Sequence, residues 1–307
     1  MVQMEDAEVA ARWGPDAVAA PVQGAANRVW FVGGGQLVLR VARPGCEADL
    51  RKEAAVIPAA VAAGVRTPDL VEAGELADGR PFLVVRRAHG AEPALPVRAQ
   101  GDPAGAVFRS VGRELALVHA KVGPVPGVPG FEEGDGPRAD TAALVAAGWI
   151  GSGAGGWLDA WFARLEEWAA PTRGPGPVLV HGDASPQNLL ADPATGALTA
   201  LLDWGDAELA DPAVDFAKVP LRAVPYVLDG YLGERAGDPE LVRSWAARVL
   251  GRQLHWALGR LAGGSPVLGA SWWSAEPGSR LLEVLRFFAD AGPLPPGWAG
   301  LTPCTGS

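Results

Sequence analysis

The sequence has few cysteines and no long apolar run. Its two cysteines, Cys46 and Cys304, form neither a disulfide framework nor a CxxC metal-binding pattern. Such sparse use of cysteine is typical of proteins in a reducing cytoplasm. No apolar stretch approaches the roughly 18 residues that a membrane-spanning helix needs, and the acidic first residues lack the apolar core of a signal peptide. We therefore expect a cytoplasmic protein with no membrane partner.

Positive charge is also scarce, and arginine supplies most of it. Lysine occurs only at Lys52, Lys121 and Lys218, and the formal net charge is −9. Nucleic-acid binding needs clustered Lys and Arg side chains, so this balance argues against a nucleic-acid partner. It would tolerate a cationic small molecule. Otherwise the composition is that of a globular protein, with 49% hydrophobic and 20% charged residues, and the length is sufficient for two lobes.

The first ninety residues predict a small antiparallel sheet around one helix. The predicted elements are a hairpin over 22–41, a helix over 47–63 and strands over 70–74 and 81–87. The dipeptide Asp78-Gly79 is a strong turn signal between the last two strands. Pro58 predicts a kink or an early end of the helix, because proline lacks the backbone N–H that an interior helical position uses.

After His89 the sequence predicts mostly helices. Apolar residues recur at helical spacing in several segments, whereas three short apolar runs fit strands. The predicted helices cover 107–120, 140–149, 156–170, 213–230, 239–262 and 277–290, and the predicted strands cover 177–180, 188–190 and 198–202. The tail, 291–307, is predicted to be poorly ordered. The sequence thus favours an α+β protein with a small β-sheet lobe over residues 1–88 and a larger, mostly helical lobe over 89–307.

Two short stretches carry the chemistry. The first is HGDASPQN, in which Asp183 precedes Asn188 by five residues, and the second places Asp203 after an apolar run. Phosphoryl transfer from a nucleotide uses one carboxylate to accept the proton of the attacking hydroxyl, and an amide oxygen and a second carboxylate to hold Mg²⁺. The alternative interpretation is an Asp turn followed by an unrelated Asn cap. The combined spacing favours Asp183 as the catalytic base, with Asn188 and Asp203 as metal ligands.

The segments HGDASPQNLL and LLDWGDAELADPAVDFA resemble the aminoglycoside phosphotransferase family, which is related to choline kinases and, more distantly, to protein kinases. The resemblance covers roughly residues 20–260. It implies a bilobal protein-kinase-like fold, ATP or GTP as phosphate donor and Mg²⁺ as cofactor. It also implies that Asp211 and Asp215 help to hold the catalytic loop.

The resemblance implies a nucleotide site in the first lobe. Arg40 on the third strand would contact the α- and β-phosphates and pair with Glu53 on the following helix; the alternative is a surface ion pair. Family members often carry lysine there, and arginine binds phosphate with a planar fork instead of a point charge. The backbone of Gly24 and Ala25 would cover the phosphates, although the segment lacks a GxGxxG pattern and also fits an ordinary turn.

The same alignment places a hinge at Arg86 and Ala88, whose backbone groups would bond to the edge of the nucleotide base. Their side chains matter less for that contact. Two histidines are interpreted as structural instead of catalytic: His181 would hold the shape of the catalytic loop, and His119 would end a helix.

The sequence gives weaker signals for the residues that bind the acceptor. Asp206 and Glu208 are candidate carboxylates for a cationic substrate. The sequence has 12 tryptophans against eight phenylalanines and two tyrosines, and Trp256 and Trp273 are candidates for a stacking wall against a ring of the substrate. For each tryptophan the alternative is ordinary core packing.

We interpret the protein as an ATP- or GTP-dependent O-phosphotransferase that modifies a hydroxyl of a small molecule. The preferred acceptor is an antibiotic, either an aminoglycoside or another drug that contains a sugar, nucleoside or peptide, and the modification would confer resistance. One alternative is a primary-metabolite kinase of the homoserine, choline or methylthio-sugar type. A second is a non-catalytic nucleotide-binding regulatory protein.

Overall fold

The protein has a mixed α+β architecture, as the sequence predicts. A computed structural model describes residues 2–95, 104–130, 136–172, 174, 176–261, 277–290 and 293–303. Its strands are β1 (Val18–Ala19), β2 (Asn27–Val32), β3 (Leu37–Ala42), β4 (Leu70–Glu75), β5 (Pro81–Arg86), β6 (Val178–Val180), β7 (Leu189–Ala191), β8 (Leu198–Leu201) and β9 (Glu208–Ala210). Its α-helices are α1 (Val2–Trp13), α2 (Glu47–Ala62), α3 (Gly105–Lys121), α4 (Pro137–Ala146), α5 (Ser152–Ala169), α6 (Val224–Leu232), α7 (Pro239–Gly259) and α8 (Pro277–Ala289).

The N-terminal part is an antiparallel five-stranded sheet in the order β1-β2-β3-β5-β4. Strand β5 is buried from Pro81 to Val85, because helices cover both faces of the sheet there. Helix α2 packs on one face. On the other face, Val9 of α1 joins the cluster that contains Trp30 and Phe82. A continuous apolar run in β5 is what a strand covered on both faces requires.

Two features of this part differ from the sequence prediction. Helix α1 was not predicted, because its mixed polar composition gives only a weak helical pattern; its ring contact, Trp13 against Phe82 with centroids 5.1 Å apart, is tertiary. In α2, Pro58 does not end the helix, which continues to Ala62. Burial of Ile57 and Ala60 on either side of the proline offsets the lost hydrogen bond.

The C-terminal part is built mainly from α3, α5, α6 and α7, with two small antiparallel sheets formed by β6 with β9 and by β7 with β8. The helix predicted over 213–230 is divided in two: a 3₁₀ turn spans Pro212–Phe216, and α6 begins only at Val224. Pro220 and Pro225 explain the division, because proline is tolerated in the first turn of a helix and not in its interior.

Residues 293–303 of the C-terminal segment also differ from the prediction. Of the segment predicted to be poorly ordered, residues 293–303 are described, and they dock onto the helices. Trp298 and Leu301 are buried, and Trp161 Nε1 donates a hydrogen bond to the Leu301 carbonyl at 3.0 Å. Local composition could not reveal this docking, because it depends on contacts with helices far away in sequence.

Buried contacts connect the sheet part with the helical part. The 3₁₀ turn Trp204–Asp206 packs against α2, and the indole Nε1 of the fully buried Trp204 donates to Thr67 Oγ1 at 3.0 Å. The Leu201 amide donates to the Arg66 carbonyl at 2.7 Å. The segment that precedes and follows Asp203 is therefore fixed against the chain that leaves α2.

Across the described ranges, no helix combines the length and the apolar character that crossing a bilayer requires.

Candidate active site

The loop that is predicted to be catalytic leaves β6 at Val180 and returns through the 3₁₀ turn Pro186–Asn188 into β7. Gly182 permits the tight departure from the strand: its φ is +81°, and a Cβ there would lie 2.2 Å from the Asp206 carbonyl oxygen. An L-residue at this position would therefore meet both backbone strain and a steric clash. The loop backbone lies directly against the segment that carries Asp206.

Asp215 holds the loop from below. Its carboxylate accepts hydrogen bonds from the backbone amides of His181, at 3.1 Å, and Gly182, at 2.7 Å. It also pairs with His119 Nε2 at 2.8 Å, and the other ring nitrogen of His119 lies 3.0 Å from the Tyr231 hydroxyl. Burial acts to raise the pKa of Asp215, but His119 and the loop amide outweigh it and hold that pKa below its usual value. Asp215 thus has the loop-holding position that the resemblance implies.

His181 is a structural residue in this loop, as interpreted from the sequence. Its ring is buried, with Nε2 3.0 Å from the Leu202 carbonyl, while Nδ1 accepts from the Asp183 amide at 3.2 Å. This pattern requires the neutral tautomer with the proton on Nε2. Burial lowers the pKa of His181, with nearby carboxylates opposing the shift. The neutral ring therefore links the loop to the end of β8.

Asp183 presents an unpartnered oxygen. Its Oδ1 is buried and has no hydrogen-bond partner among the described residues, while Lys218 Nζ lies 3.8 Å away. The Asp183 carbonyl accepts from Asn188 Nδ2 at 2.9 Å, which fixes the backbone between the two residues. A buried carboxylate oxygen without a donor carries a desolvation cost, and a substrate hydroxyl would supply the missing hydrogen bond.

Asp203 lies at the meeting point of the two parts of the molecule. It has a φ of +68°, a left-handed conformation that no other non-glycine residue in the described ranges adopts. Its Oδ1 accepts from Arg40 Nη2 at 3.0 Å. Burial acts to raise the pKa of Asp203, but the Arg40 guanidinium outweighs it and the net pKa is lowered. This carboxylate is therefore held in its charged form.

Arg40 on β3 joins three groups. It forms an ion pair with Glu53 of α2 and the hydrogen bond with Asp203, and the Asn27 amide, oriented to satisfy its neighbours, accepts from Arg40 Nη2 at 2.8 Å. Burial raises the pKa of Glu53 to about 7, and Arg40 opposes that shift. The sequence predicted the Arg40–Glu53 pair; the contact with Asp203 was not predicted.

The donor set fits Mg²⁺. The Asn188 carbonyl accepts from the Leu202 amide at 2.8 Å across the β7–β8 hairpin, which brings Asn188 beside Asp203. Because the Asn188 amide nitrogen already donates to Asp183, its side-chain oxygen is the atom left to face a cation. In the part of the chain that is described, no three His, Cys, Asp or Glu side chains form a metal cluster. One carboxylate and one amide suit Mg²⁺, which usually takes its remaining ligands from phosphates and water.

The predicted nucleotide loop lies between β1 and β2. The Gln23 side chain fixes it, donating to the Ala20 and Val29 carbonyls and accepting from the Val29 amide, each at 2.9 Å. The Gly24 carbonyl accepts from Arg43 Nε at 3.2 Å, and Ala25 follows in the same loop. The loop is thus ordered by its own side chain and not by a glycine pattern.

The predicted hinge follows β5. The Arg86 amide already donates to the Asp69 carbonyl at 2.9 Å, so this amide is not free to bond to a base edge. Ala88 lies two residues further along, and the chain then reaches β7 through paired hydrogen bonds between Ala91 and Ala191. The hinge segment therefore leads directly from the sheet to the strand that follows the catalytic loop.

A sequence model of the phosphotransferase enzyme family matches residues 18–263. The chain belongs to this family. The predicted enzyme class, a phosphotransferase with an alcohol group as acceptor, is thereby confirmed, as is the family resemblance.

Solved structures show that this phosphotransferase has the aminoglycoside phosphotransferase fold. The GDP complex of aminoglycoside 2'-phosphotransferase-IIIa has a TM-score of 0.62 at 21% identity, covering 92% of this chain and 96% of that one. Aminoglycoside phosphotransferase APH(4)-Ia has a TM-score of 0.58 at 19% identity, covering 95% and 100%. The Streptomyces rimosus enzyme APH(3'')-Id, in complex with ADP and streptomycin, has a TM-score of 0.51 at 18% identity, covering 86% and 99%. The kinase-like fold prediction is confirmed.

A curated relative matches the phosphotransferase over a short segment. The uncharacterized protein YcbJ of Bacillus subtilis (strain 168) is 53% identical over 38 residues. The match spans 12% of this chain and 12% of that protein.

The residues predicted to bind the acceptor differ in what they contact and in how far they are buried. Asp206 is engaged by Lys218 at 2.6 Å. Glu208 is half-buried on β9, where burial raises its pKa. Trp256 on α7 lies beneath the guanidinium of Arg280, 4.5 Å from its ring centroid. Trp273 lies outside the described residues.

Two cations on this side were missed by the sequence analysis. Lys218 follows Asp215 by three residues, so its proximity to the loop was available as a signal. Arg280 lies nearly a hundred residues after Asp183, and only the packing of α8 brings it near. It gave no sequence signal.

A cavity of about 640 Å³ lies at the opposite end of the β6–β9 pair from Asp183. Among its charged lining groups, Arg248 and Arg252 share Asp211 and His255 pairs with Asp140, and Glu166 also lines the cavity. No residue predicted for catalysis, metal or nucleotide binding lines this cavity.

Proposed function

We propose that this phosphotransferase transfers the γ-phosphate of ATP or GTP to a hydroxyl of an antibiotic and so inactivates it. The observation that carries the proposal is the unpartnered, buried Oδ1 of Asp183 in a braced loop beside Asn188 and Asp203. A site of action in the cytoplasm and a division into lobes at residues 1–88 and 89–307 belong to the same proposal.

Asp183 is the catalytic base. The acceptor oxygen bonds to the γ-phosphorus while the bond from that phosphorus to the bridging oxygen breaks, and the hydroxyl proton passes to Asp183 Oδ1. The Lys218 ammonium lies 3.8 Å from the same oxygen and places a positive charge beside the reacting groups. Most of the rate enhancement then comes from positioning and electrostatics, as in other phosphoryl transfers.

Arg40 holds the phosphates and Glu53 orients it. The Gly24–Ala25 backbone covers them, and the Arg86 carbonyl and the Ala88 backbone contact the base. Asn188 and Asp203 would hold Mg²⁺, which when bound neutralises charge on the phosphate oxygens. Arg40 contacts Asp203 here, so nucleotide binding would give the guanidinium a phosphate partner in place of part of that contact.

Support for the antibiotic and the nucleotide comes from what the similar proteins bind. Their complexes contain GDP with kanamycin in one case and ADP with streptomycin in another. Phosphorylation adds up to two negative charges to a drug hydroxyl, which is enough to disrupt a binding face.

The test is a screen of antibiotics, each incubated with enzyme, Mg²⁺ and either ATP or GTP, and analysed by mass spectrometry for the gain of one phosphate. Host susceptibility with and without the gene supplies the resistance readout. Asp183→Asn is the matched control. The antibiotic proposal is wrong if no drug gains phosphate with either nucleotide while a metabolite acceptor does.

A primary-metabolite kinase is the second candidate, and one observation favours it. The groups nearest Asp183 on the acceptor side include Lys218 and Arg280, which suit an acceptor of the homoserine type better than a polycationic drug or choline. A non-catalytic nucleotide-binding role fits less well, because the base, the amide and the metal carboxylate are all present. Turnover with any acceptor would exclude that role.

A further inference from the structure

Arg280 is a buried arginine on the acceptor side of the cleft. It lies on α8 and is 7% exposed. Its guanidinium lies over the Trp256 ring, 4.5 Å from the centroid, and its Nη2 is 3.5 Å from the Lys218 carbonyl. An arginine stacked on an indole has its planar fork held in one orientation, so the edge of the fork is available to a planar partner.

The Arg280 side chain lies close enough to Asp183 for their charges to interact. Lys218, whose backbone Arg280 approaches, has its ammonium 3.8 Å from Asp183 Oδ1. Burial lowers the pKa of Arg280 to about 10, Asp183 opposes this shift and Arg260 adds to it. Arg260 lies 5.4 Å from the centroid of the Trp256 ring. Three cations therefore share this end of the cleft.

Arg280 lacks a counter-ion of its own. Its Nε is buried without a hydrogen-bond partner, and within the described ranges its guanidinium forms no ion pair with a carboxylate. The nearby Asp206 is already paired with Lys218. A buried guanidinium without a partner is costly, whereas one that meets an oxyanion through two parallel hydrogen bonds is favourable. The site is thus complete only when an anionic group is present.

We propose that the acceptor carries a carboxylate close to the hydroxyl that is phosphorylated, and that Arg280, stacked on Trp256, binds this carboxylate and positions the hydroxyl at Asp183. The inference rests on the proposed phosphotransferase function and sets its substrate class: hydroxylated acids. A polycationic acceptor would face Lys218, Arg280 and Arg260, with Asp206 already paired and Glu208 half-buried on β9.

The test uses matched acceptors that differ in one group. Hydroxylated compounds that the enzyme phosphorylates are compared as free acid, carboxamide and phosphate ester, with wild type, Arg280→Gln, Arg280→Lys and Arg286→Gln. Arg286 is exposed on the same helix and pairs with Glu283, so it controls for a general effect of removing a charge from α8.

We expect wild type to prefer the free acid by about thirtyfold or more in kcat/KM, the factor typical of losing one partner of a buried charge pair. Arg280→Gln should abolish the preference by raising the KM for the acid, with the KM for nucleotide unchanged. Arg280→Lys should retain part of it, and Arg286→Gln all of it. An equal preference for acid and amide in wild type, or an undiminished preference in Arg280→Gln, would overturn the proposal. A preference for the phosphate ester alone would assign the site to phosphate.

A binding measurement separates this inference from the proposed function, because it needs no turnover. In protein saturated with ADP and Mg²⁺, glycolate should raise the melting temperature of wild type and not of Arg280→Gln, while glycolamide raises neither. If no acceptor is phosphorylated but glycolate still protects through Arg280, the transferase proposal fails and the anion site stands. Equal effects of glycolate on both proteins refute the site. So does an Arg280→Gln variant that unfolds at lower temperature with unchanged acceptor selectivity, since that result would make Arg280 structural.

Discussion

The two sides of the cleft differ in how complete they are. On the donor side, Arg40, Glu53 and Asp203 form one connected network. On the acceptor side, Asp183 Oδ1 and Arg280 Nε are buried without hydrogen-bond partners among the described residues. The donor side also has one buried oxygen without a hydrogen-bond partner, Glu53 Oε2, but its charged groups are joined by ion pairs before any ligand binds. On the acceptor side, Arg280 has no ion pair with a carboxylate among the described residues, so a ligand would have to supply one. We expect the first side to serve the steps that all phosphoryl transfers share and the second side to select the acceptor.

The largest effect should come from removing the base. Asp183→Asn keeps the size of the side chain but cannot accept the hydroxyl proton, so we expect kcat to fall by roughly 10²- to 10⁴-fold. Nucleotide affinity, measured by calorimetry, should stay within about twofold, since the donor network is untouched. Asp159→Asn, which alters an exposed ion pair with Arg138, is the control. If the turnover of Asp183→Asn were near that of wild type, Asp183 would not be the catalytic base.

Asp215→Ala should break the support beneath the acceptor side. It removes a fully buried carboxylate that pairs with His119 and accepts from the His181 and Gly182 amides. Leaving the buried groups that bind this carboxylate without their partner costs about 3–5 kcal/mol of the free energy of unfolding. Denaturant unfolding measures it. Asp229→Ala removes an exposed pair with Arg109 and should cost under about 1 kcal/mol; equal losses in the two variants would contradict the bracing role.

Two glycines with positive φ test whether the loop needs its close contact with the Asp206 carbonyl. Gly182 and Gly196 both have positive φ, but a Cβ at Gly196 meets nothing within 4 Å, whereas at Gly182 it would lie 2.2 Å from a carbonyl oxygen. Gly196→Ala should cost about 1–2 kcal/mol from backbone strain alone. Gly182→Ala should cost about 1–3 kcal/mol more because of the clash, and it should also lower kcat. Identical melting temperatures and activities would show that the loop does not need the contact.

The smallest predicted effect lies on the donor side. Arg40→Lys keeps the charge but loses the fork that joins Glu53 and Asp203, so the KM for nucleotide should rise by about tenfold or less, with the KM for the acceptor unchanged. Steady-state kinetics with each substrate varied separately distinguish the two. A rise in the KM for the acceptor alone would contradict the assignment of Arg40 to nucleotide binding.

The same contrast explains what the sequence could predict. Asp183, Asn188 and Asp203 lie close together along the chain, and the hydrogen bonds of one hairpin bring them together, so local spacing was informative. Their roles remain predictions, but their proximity is a structural finding. Four strands of the five-stranded sheet followed from apolar runs and turn signals in the sequence. Proline positions explain why the helix predicted over 213–230 is divided.

Arg280, Trp298 and α1 are different, because their positions depend on contacts across long sequence separations. Trp298 is buried on helices far from it in sequence, although its own segment is rich in glycine and proline. Composition describes the local chain and cannot report such docking. For the same reason the acceptor side, assembled from α7 and α8 around the loop, could not be read from motifs.

The proposal that Asp183 is the base for phosphate transfer to an acceptor hydroxyl is tested most directly by following the γ-phosphate from nucleotide to product. Wild type and Asp183→Asn are incubated with ATP or GTP carrying heavy oxygen in the γ-phosphate, Mg²⁺ and an acceptor, and the products are analysed by mass spectrometry. We predict that wild type transfers the labelled phosphate to an acceptor hydroxyl and that Asp183→Asn transfers almost none. Labelled phosphate released only to water by wild type, or transferred equally well by both proteins, would contradict it.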